Sequence, residues 1–174
     1  MNGGLDESFD GTQPVARHPK AVSIEDVITF RLQRMVSIGE RAGHHWSERL
    51  FDLSLNEWRL LALVKSRAPC RAGDMADLLL MDKSQTSRVI KALLSKELIK
   101  NMPDPLDGRA ISLHTTEAGD TLYARIFNEV LKSNERVLSP LSPEEVQTFN
   151  AMLERLIEHS ENLLEARLGR DLVR

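Results

Sequence analysis

The chain has 174 residues, 41% hydrophobic, 28% charged and only 5% aromatic, enough to bury an apolar interior without disulfides or metal and better suited to aliphatic helix packing than to a β-sandwich. Its 23 Lys and Arg against 26 Asp and Glu give a formal charge of −3, so net charge alone calls for no polyanionic partner; a local concentration of charge has to. A single cysteine, Cys70, excludes an internal disulfide, no apolar run reaches the ~20 residues of a membrane span, and the N-terminus has no signal-peptide pattern, so a cytoplasmic chain with no membrane partner is expected.

Residues 1–22 combine Gly, Pro, Ser and acidic side chains without periodicity and read as a disordered tail. From Ser23, a candidate cap with Asp26 three residues on, the apolar residues Ile24, Val27, Ile28, Met35 and Ile38 predict one long helix to about Leu50, within a segment 23–52. Ser54 opens a second helix that stops at Pro69. A short helix from about Asp74 to Leu79, a turn over Leu80 to Asp82 and a helix from Lys83 to about Lys96 then make a helix-turn-helix. The alternation in "RAISLH" pairs with "LIKNM" as a β-hairpin, and "PDPLDG" forms its tip, stiffened by prolines and turned at Gly108. Thr116 caps a helix to about Leu138, and Ser142 with Pro143 opens a terminal helix whose stripe Val146, Phe149, Leu153, Leu156, Leu163 and Leu164 is too long for a core this small to cover. Such a stripe asks for a second copy of the chain. The fold class is therefore mainly α, a winged helix-turn-helix lobe at 53–115 with dimerisation helices at 116–174.

The helix from Lys83 divides into two faces. Thr86, Ile90, Leu93 and Leu94 form an apolar side; Ser84, Ser87, Arg88, Lys91 and Ser95 form a polar one, with Gln85 near the start. Short hydroxyls, an amide and cations at a helix N-terminus are the groups that reach base edges and phosphates in a major groove. Between Lys83 and Arg109 six cations stand against three anions, a surplus of three in a chain that is negative as a whole. A hairpin tip directly after such a helix is a wing, and Asp107 and Arg109, two apart, are positioned to pair and fix the guanidinium. The candidate contacts to a double-stranded operator are thus Lys83, Ser84, Gln85, Ser87, Arg88, Lys91, Asp107 and Arg109. No HExxH, nucleophile elbow, phosphate-binding glycine loop or Cys/His array is present, so neither catalysis nor a cofactor is expected.

The stretches "LSLNEWRLLALV", "DMADLLLMDKSQTSRVIKALLSKELI", "DGRAISL" and "TTEAG" resemble, from about Ser23 to Leu168, the MarR family of bacterial winged-helix regulators. The resemblance implies a homodimer, built from the first and the two last helices, that sets two lobes on successive major grooves of a pseudopalindrome. It departs from the family at Leu80, where glycine is common in the turn, and at Thr115, where leucine precedes the threonine. Leu80 must either avoid left-handed geometry or carry roughly 1–2 kcal/mol of strain. The family also implies a repressor released by a small aromatic or otherwise anionic effector, an aromatic acid or its thioester. Arg31, Arg34, His45 and Arg59 would hold the anion and Trp58 would line the ring. The reading from another class is a helical homodimeric protein-interaction module without specific DNA binding.

Overall fold

The computed structural model describes residues 20–171 except 106, 108 and 109, with backbone alone at 42, 44–46 and 168–171. A one-turn 3-10 segment at Ile24–Asp26 precedes α1 (Ile28–Phe51), α2 (Leu55–Arg67), α3 (Ala72–Leu79), α4 (Lys83–Ser95), β1 (Ile99–Pro103), β2 (Ile111–Thr115), α5 (Glu117–Leu138) and α6 (Pro143–Asp171). The chain divides into two units, Met1–Leu55 and Asn56–Arg174. Most of the expected tail lies outside the described residues.

In the first unit the Asp26 carboxylate accepts the backbone N–H groups of Ser23 and Val22, both at 3.0 Å. These bonds, Ser23's first, hold its carboxyl below the usual carboxylate range. Ser23 therefore caps the 3-10 turn rather than the long helix: Val27 is extended, and α1 starts only at Ile28. At the other end Asp52 is left-handed, with φ 52°, and its N–H reaches Glu48 O while that of Leu53 reaches Ser47 O. The first of these is the single bond of an αL ending, from the left-handed residue to the carbonyl four residues back.

The second unit has two further left-handed endings, each closed by the two reversed bonds of a Schellman motif. After α3, Leu80 (φ 51°) donates to Asp77 O and Met81 to Ala76 O; after α4, Glu97 (φ 55°) donates to Leu94 O and Leu98 to Leu93 O. Neither left-handed residue is glycine. The sequence alternative at Leu80 is thereby settled in favour of the strained turn. Leu93 and Leu98 are both buried, the apolar contact that accompanies this motif. α3 begins two residues earlier than its apolar pattern indicates, because Arg71 serves as N-cap with Asp74 accepting its backbone N–H at 3.2 Å.

β1 and β2 pair antiparallel with Ile99 opposite Thr115 and Pro103 opposite Ile111. Cys70 joins them through one bridge, its carbonyl accepting the Leu113 N–H at 2.8 Å. The core of this unit is Leu60, Leu61, Val64, Met75, Leu93, Ile99, Leu113 and Ile126. Thr116 closes the hairpin onto α5: its N–H donates to Leu98 O, its hydroxyl donates to Glu97 O at 2.7 Å, and the same oxygen accepts the Gly119 N–H. A Cβ at Gly119 would fall on the Leu98 carbonyl, so glycine is required by this close approach. α6 opens as expected, with Ser142 Oγ accepting the Glu145 N–H and Glu145 returning the bond to the Ser142 N–H.

Leu80 is 82% exposed, so its side chain contributes little packing to offset the backbone strain. Leu80→Gly should raise stability by about 0.5–1 kcal/mol, the left-handed penalty less the added freedom of the unfolded glycine. The midpoint of urea unfolding, at unchanged slope, measures it.

Candidate nucleic-acid interface

α4 stands free along one side because its start is capped locally. Asp82 Oδ1 accepts the Gln85 N–H at 2.7 Å, and the Asp82 carbonyl accepts the Thr86 hydroxyl at 3.0 Å. Asp82 thus caps the helix from within its own first turn. Thr86 and Leu93 are buried and Ile90 and Leu94 half-buried, whereas Lys83, Ser84, Gln85, Ser87, Arg88, Lys91 and Ser95 are all exposed. The two-faced helix read from the sequence is the one observed. Arg88 curls back with Nε 3.5 Å from the Ser84 carbonyl, a contact too long to hold it.

The far end of α4 is tethered. Lys96 Nζ lies 3.1 Å from Glu57 Oε1 on α2, and the glutamate is only 8% exposed. The pair ties the exit of α4 to α2 through a carboxylate withdrawn from water. Sequence reasoning counted Lys96 as a cation for DNA and missed the tether, because the two residues are far apart in the chain.

At the wing, Arg109 and Gly108 lie outside the described residues, and with them the expected Asp107–Arg109 pair. Asp107 is exposed, and its backbone N–H donates to Asp104 Oδ1 at 3.1 Å. Asp104, read from the sequence only as an anion of the tip, is 9% exposed, and its other oxygen accepts Arg71 Nε at 2.9 Å. That hydrogen bond raises the Arg71 guanidinium above its ordinary range. The one available signal was the RxxD spacing of Arg71 and Asp74 at the start of α3.

The residues expected to hold an effector fall in both units. In the first, Arg31 is turned back on its own N-terminal segment, with Nε 2.6 Å from the Glu25 carbonyl; Arg34 is exposed, and the side chain of His45 lies outside the described residues. In the second, Trp58 is 7% exposed and its ring stacks on Tyr123 at 5.7 Å, which in turn stacks on Phe127 at 5.3 Å; Arg59 is half-buried. Burial pushes the Cys70 thiol up, against the lowered value a reactive thiol needs. Among the described residues no group of three or more His, Cys, Asp and Glu could hold a metal, and no helix is long and apolar enough to cross a membrane.

This arrangement, a capped helix with an open cationic face followed by a hairpin, is found in known proteins. Residues 53–111 match the MarR family. Over this segment, from just before α2 to the start of β2, the chain is similar to that family. It is 29% identical over 133 residues to the uncharacterised HTH-type transcriptional regulator YxaD of Bacillus subtilis, an overlap of 76% of this chain and 90% of YxaD. Its fold is also that of MepR from S. aureus, solved as a DNA complex, at a TM-score of 0.68 and 19% identity over 79% of this chain and 99% of MepR. PcaV from Streptomyces coelicolor, solved with its natural ligand, gives a TM-score of 0.62 and 20% identity over 81% of this chain and 99% of PcaV. The relative matched over most of its length, YxaD, is named as a transcriptional regulator of the helix-turn-helix type.

Proposed function

We propose that the protein is a homodimeric repressor that lays α4 of each copy in successive major grooves of a pseudopalindromic operator and is released by a small aromatic acid or its thioester. The observation that carries the DNA half is the exposed face of α4. Six groups able to meet base edges or phosphates, from Lys83 to Lys91, point away from the core while Thr86 and Leu93 anchor the opposite side. The wing, with Asp107 and Arg109 at its tip and Lys100 on β1, supplies backbone contacts beside it.

The dimer half rests on the apolar residues that α5 and α6 leave open. Phe127, Leu131 and Val137 on α5, and Met152, Leu156, Ile157, Leu163 and Leu164 on α6, are each 40% exposed or more. Those on α6 recur at spacings of four and seven, a stripe along one side that a second copy would cover. The organisation that follows is a segment 23–52 and a C-terminal region 116–174 for dimerisation, with the DNA lobe at 53–115 between them.

The effector half draws its support from the residue types on the first two helices and from PcaV, which binds a ligand on the same fold. Arg31 makes only exposed contacts, a main-chain carbonyl and a 3.7 Å approach to Asp26, and a ligand carboxylate would compete well with both. Trp58, stacked and buried, would present an edge or follow the movement of Tyr123 rather than offer an open ring face.

Arg88→Ala should weaken specific operator binding by about 1–3 kcal/mol while the variant still sediments as the parental dimer. Fluorescence anisotropy on DNA flanking the gene measures the first, and analytical ultracentrifugation the second; parental affinity in a folded dimer would remove α4 from the groove. For the effector, benzoates, hydroxycinnamates and their thioesters are titrated while operator release is followed. A tenfold release corresponds to about 1.4 kcal/mol of preference for the DNA-incompetent state, and Arg31→Ala should reduce it without weakening DNA binding in the absence of effector.

A further inference from the structure

We infer that the Arg71–Asp104 pair is a latch that aims the wing, so that both residues position the DNA contact without making it. The inference rests on the reading of the hairpin as a DNA-contacting wing.

The geometry is a two-sided clamp. Asp104 stands where β1 gives way to the loop, and its two carboxylate oxygens are spent in opposite directions. Oδ1 accepts the Asp107 N–H at 3.1 Å, which folds the tip on itself; Oδ2 accepts Arg71 Nε at 2.9 Å, which ties that folded tip to the body. Two further main-chain bonds, Asp104 N–H to Ala110 O and Ala110 N–H to Asp107 O, join these among the described residues of the tip. The carboxylate is 9% exposed and the arginine side chain about half exposed. An ordinary surface pair would contribute little, but here one partner is withdrawn from water and loses a charged hydrogen bond if the other moves.

Arg71 is itself held at both ends of its backbone. Its N–H donates to Asp74 Oδ2 at 3.2 Å and its carbonyl accepts the Met75 N–H at 3.3 Å, making it the N-cap of α3. The residue before it, Cys70, is bonded through its carbonyl to Leu113 on β2. The guanidinium therefore projects from a backbone already registered against the hairpin, and it sets the angle of the tip relative to the helix-turn-helix. A two-stranded ribbon alone is marginally stable and would leave its tip to swing. Fixing it in advance removes an ordering cost from DNA binding.

The charge of Asp104 makes the inference testable by sign. An anion near a phosphate backbone repels it, and a neutral residue there would also release Arg71 to reach a phosphate. Without a latch, Asp104→Asn should therefore tighten operator binding. With the latch, Asp104→Asn and Arg71→Ala should each weaken binding on the order of tenfold, and Arg71→Lys should recover part of the loss. Asp104→Asn should also speed hydrogen exchange at the Asp107 and Ala110 amides while the thermal midpoint stays near the parental value.

Operator affinity is measured by anisotropy with Arg109→Ala in parallel. Weaker binding by Asp104→Asn, with the two amides exchanging faster, is the expected result. Parental or tighter binding by Asp104→Asn, with Arg109→Ala impaired, overturns the latch and leaves the wing as a DNA contact. Parental binding by both variants overturns the latch together with the wing reading on which it stands.

Discussion

The constraint on which the DNA-binding lobe depends is the close approach at Thr116 and Gly119. The end of α4, the start of β1, the end of β2 and the start of α5 meet there within a few residues, held by one threonine that bonds Glu97, Leu98 and Gly119 and by a glycine that leaves room for the Leu98 carbonyl. Helix and hairpin are consequently fixed to α5 at one point. α4 presents a polar face because its apolar one is committed to Leu93 and its neighbours, and the wing follows it at a set angle because both leave the same junction. Any side chain at Gly119 would force that junction open, and the relation between α4 and wing would be lost with it.

The three left-handed helix endings share a consequence. Asp52, Leu80 and Glu97 each reverse the chain within two residues of a helix, which keeps α1 to α2, α3 to α4 and α4 to β1 short. Non-glycine residues in this geometry store backbone strain. It is tolerated at Glu97 because the carbonyl is bonded by Thr116, and at Leu80 because two reversed main-chain bonds close the turn. Around its core the lobe is held by local caps and by tethers between distant residues, Glu57 with Lys96 and Arg71 with Asp104.

Local chemistry is what sequence reading captured well. Asp26 beside Ser23, Thr116, and Ser142 with Pro143 mark helix starts whose partners lie within four residues, and the two faces of α4 follow from a period of 3.6. Non-local pairing escaped it. Asp104 was one more anion in a loop until the fold brought Arg71 to it, and Lys96 was one more cation until Glu57 was seen beneath it. Trp58 shows the converse: an aromatic near basic residues suggested a binding surface, whereas its ring is committed to Tyr123. The departure at Leu80 was recognised in the sequence, but its resolution needed a backbone angle.

The claim at the centre of this account is that a chain with net charge −3 binds DNA through a local surplus of cations on α4 and the wing. The most direct test is the affinity for the DNA flanking its gene as a function of salt. With two lobes each neutralising several phosphates, log K should fall linearly with log salt, at about −0.9 per phosphate neutralised, losing roughly 10³ to 10⁵ in affinity between about 50 and 200 mM. An affinity indifferent to salt across that range would contradict it.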